Sequence, residues 1–402
     1  MAKKKKRRVR LSFTGKLLVF LIILAAILVG YNTLSYKFNS NGNSNSIIKS
    51  KSSKSVIKEE KEKVYTLKLL GTGDGLVHSN VFKAFHKNGV YDFTPAVSLI
   101  KQYIKENKYD LAYYNQETVF GGEEIGYSGY PLFNTPSEYG DAMIDAGFNM
   151  VSLATNHSLD RGLKGGLNSV AYWKEKKDVL SNGMADSEEM RNDFIIKEKN
   201  NIKYTMLSYT VSTNGINVPS GSSYILNVYD KEQVKKDIEA VRDKVDVLIV
   251  AMHWGVEYTN AEIAEQREMA KYLASLNVDI VLGNHPHVIE PYEKIDNTHV
   301  FYSHGNFLSN QPDENTKIGL LSGMTITKTV KGNESKVEIG DITSELIYTY
   351  SYDVTGANAT YLVVPFSYMH DEKYLKNYKT VFEKYKKIMQ KYDENLNVID
   401  AG

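Results

Sequence analysis

From Val64 onward, apolar runs of strand length alternate with longer amphipathic stretches. Strands are predicted at Tyr65–Leu70, Asp110–Tyr114, Phe148–Leu153, Ile202–Tyr209, Val245–Met252, Val278–Leu282 and His299–Ser303. Helices are predicted at Ser137–Ala146, Leu163–Lys176, Lys231–Lys244 and Ala261–Leu276, with Thr135-Pro136 capping the first and Gly147 ending it. Such alternation predicts an α/β domain. After about Gly319 the pattern changes. Leu320–Val330 and Lys336–Leu346 read as antiparallel strands around a turn at Lys331-Gly332-Asn333, and Tyr361–Pro365 as another strand. Asp371–Tyr392 reads as a helix whose stripe runs through Tyr374, Leu375, Tyr378, Phe382, Tyr385 and Met389. Residues 319–402 are therefore expected to complete the domain that begins at residue 63.

The first 62 residues follow a different pattern. Residues 1–16 hold eight of the chain's 49 basic residues and no acid, so the remainder is outweighed by 48 acidic residues. Residues 17–31 are apolar apart from Gly30 and Tyr31, somewhat short of the roughly 20 that a spanning helix prefers. Phe13 and a snorkelling Lys16 can extend the stretch. Bases on its N-terminal flank are expected to place residues 1–16 in the cytoplasm and the rest outside the cell membrane. A cleavable signal peptide is the competing reading. No small-x-small site follows the run, so we read a single-pass anchor. Residues 32–62, rich in Asn, Ser, Lys and Glu without apolar periodicity, are expected to be a flexible linker. The chain has no Cys, which excludes disulfides, thiolate nucleophiles and Cys-ligated zinc. A net acidic body argues against nucleic acid as a partner.

Most predicted strands run into polar clusters that supply Asp74, Glu117, Asn156, His157, His253, His285 and His287. Carboxyl ends of strands in α/β sheets converge on one edge, where sites form. His285 and His287 flank Pro286, and on an extended turn residues i and i+2 point to the same side. Two acids, an amide and several imidazoles are a donor set for one or two divalent cations, and such ions polarise phosphoryl oxygens. Each residue also has a plain reading: Asp74 as a turn residue, Glu117 as a surface acid, Asn156 as a helix cap, His253 as a core histidine. Their common position after strands favours the joint one.

The blocks Gly73-Asp74, Asn115-Gln116-Glu117, Ala154-Thr155-Asn156-His157-Ser158-Leu159-Asp160-Arg161-Gly162, His253-Trp254-Gly255-Val256-Glu257-Tyr258, Gly283-Asn284-His285-Pro286-His287-Val288 and Tyr302-Ser303-His304-Gly305-Asn306-Phe307 resemble, in order, those of the bacterial CapA family of capsule or poly-γ-glutamate synthesis proteins. The resemblance spans roughly residues 64–312. It implies a calcineurin-like metallophosphoesterase fold, a four-layer α/β/β/α sandwich of two mixed sheets flanked by helices, behind an N-terminal transmembrane helix. It also implies Asp74 as a ligand of the first metal, Glu117 as the bridging acid, Asn156 on the second metal and on a phosphate oxygen, and His253, His285 and His287 completing the set. His157 takes the acid/base place. Mn²⁺, Fe²⁺ or Zn²⁺ are the expected ions. The implied partners are the membrane, an anionic envelope polymer and membrane-bound polymer-synthesis components.

The chain departs from the phosphoesterase pattern at several positions. Leu76 stands where an Asp-x-His pair would place a histidine, and His78 is a possible substitute ligand. Glu117 replaces the commoner Asp, Gln116 and His304 stand where Leu is common, and Asn284 where His is common. Asp160 can orient His157 or pair with Arg161. Glu257 can contact substrate or cap a helix, and Asn306 and Gln311 are expected to brace the rim through the backbone. His86, His299 and His370 are read as structural or surface residues. Three functions compete: a metal-dependent phosphoester hydrolase, a non-catalytic component of polymer assembly, and a structural domain with a vestigial site.

Overall fold

The computed structural model describes residues 61–402. The basic tip, the apolar stretch and nearly all of the linker lie outside the described residues. Among the described residues, no helix is long and apolar enough to cross a membrane.

The strand Lys63–Gly75 organises the first sheet. Its side chains alternate: Leu67 and Leu69 enter the core shared with the second sheet, while Leu70 enters the core under the helices. The main path of this sheet runs Thr360–Pro365, Glu334–Tyr352, Ile318–Lys331, Lys63–Gly75, Leu111–Asn115, Met150–Ser152 and Leu180–Asn182. Lys63–Gly75 pairs parallel with Leu111–Asn115 and antiparallel with Ile318–Lys331. The segment after Gly319 is thus built into the same sheet and is no separate layer. The second sheet runs Ile289–Ile295, Thr298–His304, Ile280–Asn284, Val247–His253, Ile202–Thr210 and Lys197–Lys199, also mixed.

Three apolar clusters set the layering. One packs Ile100, Met143, Val170 and Trp173 from helices onto the outer face of the first sheet. The second joins the two sheets through Leu69, Tyr113, Ile249 and Leu282. The third covers the far face of the second sheet with Val234, Ile238, Ala270 and Leu273 from helices Lys231–Val241 and Ala264–Ser275. The order is helix, sheet, sheet, helix, in an α/β fold of two mixed sheets.

Several sequence expectations are corrected. The first strand does not stop at Leu70 but continues through Asp74, because Asp74 pairs with both Asn115 and Asn306. Gly73 makes this possible: a Cβ there would lie 1.8 Å from the Gly305 carbonyl oxygen. Thr135 does not cap the helix Glu138–Ala146; its hydroxyl donates to Thr118 Oγ1 at 2.8 Å, and the cap position is Ser137, without a side-chain bond. The last helix is Tyr378–Met389 rather than Asp371–Tyr392, because Asn377 adopts φ +53° and starts it late. Its buried face is Tyr378, Phe382, Tyr385 and Met389.

Glu345 lies within the inner strand Glu334–Tyr352, fully buried opposite Leu321. One carboxylate oxygen accepts from the Ser367 amide at 2.9 Å, and the other has no partner. Burial pushes this carboxyl up to about 8 from an ordinary 4.5. The folded protein then holds a proton that the unfolded chain releases. The associated stability is complete below about 4.5 and is lost as pH rises through about 8. Glu345→Gln cannot titrate, so it is expected to match the parent near pH 4.5 and to exceed it by about 1–3 kcal/mol near pH 9. Urea unfolding at the two pH values measures this, and an equal gain at both would contradict it.

Candidate metal centre

The carboxyl ends of both sheets meet at one edge. Asp74 and Asn115 end adjacent strands of the first sheet, and His253 and Asn284 end adjacent strands of the second in direct register. Gly283 lets the latter strand close on its neighbour, since a Cβ there would fall 2.0 Å from the Tyr302 carbonyl oxygen. The turn beyond it carries His285 and His287. It is not extended, as the sequence suggested: φ is +99° at His285 and +59° at His287. Left-handed backbone at two non-glycine residues is strained, and such strain concentrates at functional sites. It holds the two imidazole rings 6.1 Å apart.

Two three-residue groups result, each with donor atoms within 4.8 Å of one another: Asp74, Glu117 and His287, and Glu117, His253 and His285. Asp74, Glu117, His253 and His287 are buried and His285 is partly so, and Glu117 belongs to both groups. His287 Nδ1 lies 3.4 Å from Asp74 Oδ2 and 3.7 Å from Glu117 Oε2, and His253 Nε2 lies 3.6 Å from Glu117 Oε1. Neither Glu117 oxygen has a hydrogen-bond partner, nor has His285 Nδ1. Burying a carboxylate so is costly unless a cation compensates it. This orphaned donor set fits one or two divalent ions, with Glu117 common to both donor groups.

The electrostatics agree. Burial, then the Asp74 charge, raises Glu117 well above the usual carboxylate range, against the pull of His287. Against the downward pull of burial, the Glu117 and Asp74 carboxylates push His287 up to about 9. The two shifts differ in cause: burial leads for Glu117, and the neighbouring carboxylates for His287. Burial lowers His285 to about 4 and takes His253 well below its ordinary value, which leaves neutral imidazoles of the kind that ligate metals.

Asn156 and His157 approach from the loop after Met150–Ser152. Asn156 Oδ1 sits 2.9 Å from His253 Nε2, at the edge of the second group. His157 Nδ1 lies 2.7 Å from Asp160 Oδ2, which also accepts from the Phe133 amide at 2.7 Å. Arg161 turns away, donating to the Ile125 carbonyl, so Asp160 faces His157 and not Arg161. Both His157 and Asp160 line a cleft of about 590 Å³ that opens over His287.

His78, the suggested substitute ligand, is in neither group. Its Nδ1 is engaged by the Leu76 carbonyl at 3.0 Å and the Asn310 amide at 3.2 Å, and its ring packs edge-on against Phe133. Burial lowers it to about 4, and it serves as cleft wall. His304 is a staple between strands, bonded to the Gly283 carbonyl and the Ser322 hydroxyl. His299 meets the Tyr292 hydroxyl at 2.8 Å. Asn306 works through its side chain: Oδ1 is 3.0 Å from His287 Nδ1, while Nδ2 is anchored on Ser309, Gln311 and Thr316.

Two positioning amides had no role in the sequence reading. Asn115 Nδ2 donates to Asp74 Oδ1 at 2.8 Å and reaches His253 Nδ1 at 3.2 Å, tying one ligand from each sheet together. Its place two residues before Glu117 at a strand end was the available signal. Asn214, with φ +52°, accepts from Asn156 Nδ2 at 3.2 Å and so fixes the face of that amide turned to the cluster. Its loop has no periodic pattern that would mark it.

A family model described as bacterial capsule synthesis protein PGA_cap matches residues 68–311. The PGA biosynthesis protein CapA of Bacillus subtilis (strain 168) is 26% identical over 244 residues, covering 60% of this chain and 62% of that protein. The capsule biosynthesis protein CapA of Bacillus anthracis is 29% identical over 187 residues, covering 45% and 44%. The match spans less than two thirds of either relative. Solved structures with a similar course include the calcineurin-like phosphoesterase YfkN from Bacillus subtilis, with TM-score 0.43, 16% identity, and 69% of this chain and 91% of that chain covered. The 5′-nucleotidase from Candida albicans gives 0.37, 11%, 66% and 51%.

Proposed function

For a chain that belongs to the PGA_cap family of bacterial capsule synthesis proteins, we propose a metal-dependent phosphoester hydrolase working in capsule or poly-γ-glutamate biosynthesis. The observation that carries this reading is Glu117, buried and shared by two donor groups, with both oxygens unpartnered. Asp74, Glu117 and His287 would hold one ion, and Glu117, His253 and His285, with Asn156 beside them, another. Mn²⁺, Fe²⁺ and Zn²⁺ suit this mixed nitrogen and oxygen set. An ion held there would polarise a phosphoryl oxygen.

The chain's own residues supply the rest. The Asp160 carboxylate beside Nδ1 orients the His157 ring, leaving Nε2 to hand a proton to a departing oxygen. Asn156 Nδ2, held by Asn214, can donate to a substrate oxygen. Phe133 and Tyr258 form part of the cleft wall beside His157 and His287. The basic tip and apolar stretch of residues 1–31 support a single-pass anchor with the domain outside the cell membrane, beside membrane-bound polymer-synthesis components.

The test uses the purified full chain. Bound divalent metal is measured, followed by Mn²⁺-dependent hydrolysis of bis(p-nitrophenyl) phosphate, with the His285→Ala/His287→Ala variant alongside. The expected result is bound metal and turnover, both lost in the variant. A parent chain without metal, or unchanged turnover in the variant, would end the proposal. The names of the Bacillus relatives favour a second reading, in which the ions hold polymer carboxylates without hydrolysis. It predicts that the same variant stops polymer production in cells while no phosphoester turnover is ever detected.

A further inference from the structure

The cleft over the metal centre has an unusual charge pattern for a site expected to serve an anionic polymer. Asp160 and Glu257 line it, and among the described residues no Lys or Arg does. Two divalent ions would bring four positive charges; Asp74 and Glu117 offset two and Glu257 a third, while the Asp160 carboxylate is turned to His157. That leaves charge for about one anionic group on the ions themselves, and a run of carboxylates would meet Glu257 and no cation.

The walls are aromatic and amide-bearing instead. Tyr130 is 79% exposed and Tyr258 54%, both far from the buried state usual for aromatic side chains here. Tyr130 continues inward through Phe133, 6.5 Å away, to His157, 4.8 Å further. Tyr258 lies 6.0 Å from His287, with φ +66° and its amide bonded to the Pro286 carbonyl. That strained backbone fixes the ring beside the metal centre rather than in the core. Both aromatic runs therefore lead from the mouth of the cleft to a histidine of the site. Asn214, Asn310 and Gln311 add uncharged donors and acceptors around them.

We propose that this cleft binds a glycosyl phosphate: one anionic group at the metal centre, carried on a neutral, hydroxyl-bearing ring that stacks on Tyr130 and Tyr258. The apolar faces of a pyranose suit aromatic platforms, and its hydroxyls suit amides and carboxylates, whereas a second phosphate or a polyglutamate strand finds no cation. This rests on the metal-dependent reading above.

Calorimetric titration of the Mn²⁺-loaded full chain, carrying His157→Ala to suppress turnover, tests it, with inorganic phosphate, glucose 1-phosphate, adenosine diphosphate and a γ-glutamate trimer as probes. Glucose 1-phosphate is expected to bind about 10-fold tighter than inorganic phosphate and tighter than the other two. In Tyr130→Ala/Tyr258→Ala the ratio of sugar phosphate to phosphate affinity is expected to fall toward one. Failure of phosphate itself to bind would overturn the metal-centre reading and this inference with it. Phosphate binding without a preference for the sugar phosphate, a preference that survives the double substitution, or tighter binding of the trimer or the diphosphate would overturn this inference alone.

Discussion

Glu117→Gln is expected to abolish divalent-metal binding by the full chain while leaving the metal-free protein at least as stable as the parent. Glu117 is the one side chain common to both donor groups, so its loss affects both ions. The amide keeps one oxygen but no charge. Loss of an outer-shell partner alone typically costs about 10–100-fold in metal affinity, and removal of a shared ligand exceeds that. Stability moves the other way because the metal-free cluster already carries more acid than it can ionise. Burial and Asp74 raise Glu117 well above the usual carboxylate range, and its oxygens find no donors. Replacing such a carboxylate with a neutral group removes a cost. Thermal unfolding with EDTA and with Mn²⁺ separates the two effects. The parent should gain about 2.7 kcal/mol when metal stands at 100 times its dissociation constant, and the variant nothing. A variant that binds Mn²⁺ as tightly as the parent would show that the ions sit elsewhere.

That so much of the cluster could be read from sequence has a topological cause. Asp74, His253 and the His285–His287 turn each sit at or just past the end of a buried strand, and parallel strands bring their carboxyl ends to one edge. The limits of those strands were less legible. Lys63–Gly75 runs through a Gly-Thr-Gly sequence that reads as a turn, because close approach to Gly305 favours residues without a Cβ. Ile289–Ile295 was hidden by Pro291, which a central strand would not tolerate; it is an edge strand. The helix Ser98–Asn107 was visible in principle, since Ile100, Tyr103 and Ile104 recur at helical spacing. Asn115, Asn214 and Asn306 are a different case. An amide that orients a ligand does so through partners distant in sequence, 41 and 138 residues away for Asn115. No local pattern distinguishes it from an amide in a turn.

Asp160→Asn is expected to reduce turnover of a phosphodiester by about 10²–10⁴-fold with metal content unchanged. Asp160 belongs to neither donor group, so the ions should not report its loss. What it holds is His157, at 2.7 Å from Nδ1, with the same oxygen also taking the Phe133 amide. An Asn carbonyl in that place accepts both bonds but supplies no charge, so the imidazolium loses its counter-charge. If the amide turns over, its NH₂ faces the two donors and the ring is released. Either way less of the enzyme carries a correctly aimed proton. The decisive comparison is the double variant. If Asp160 acts through His157, then Asp160→Asn adds little to His157→Ala, and the two losses are far from additive. Additive losses, or loss of metal from Asp160→Asn, would mean that Asp160 supports the loop carrying Asn156 and not the proton on His157.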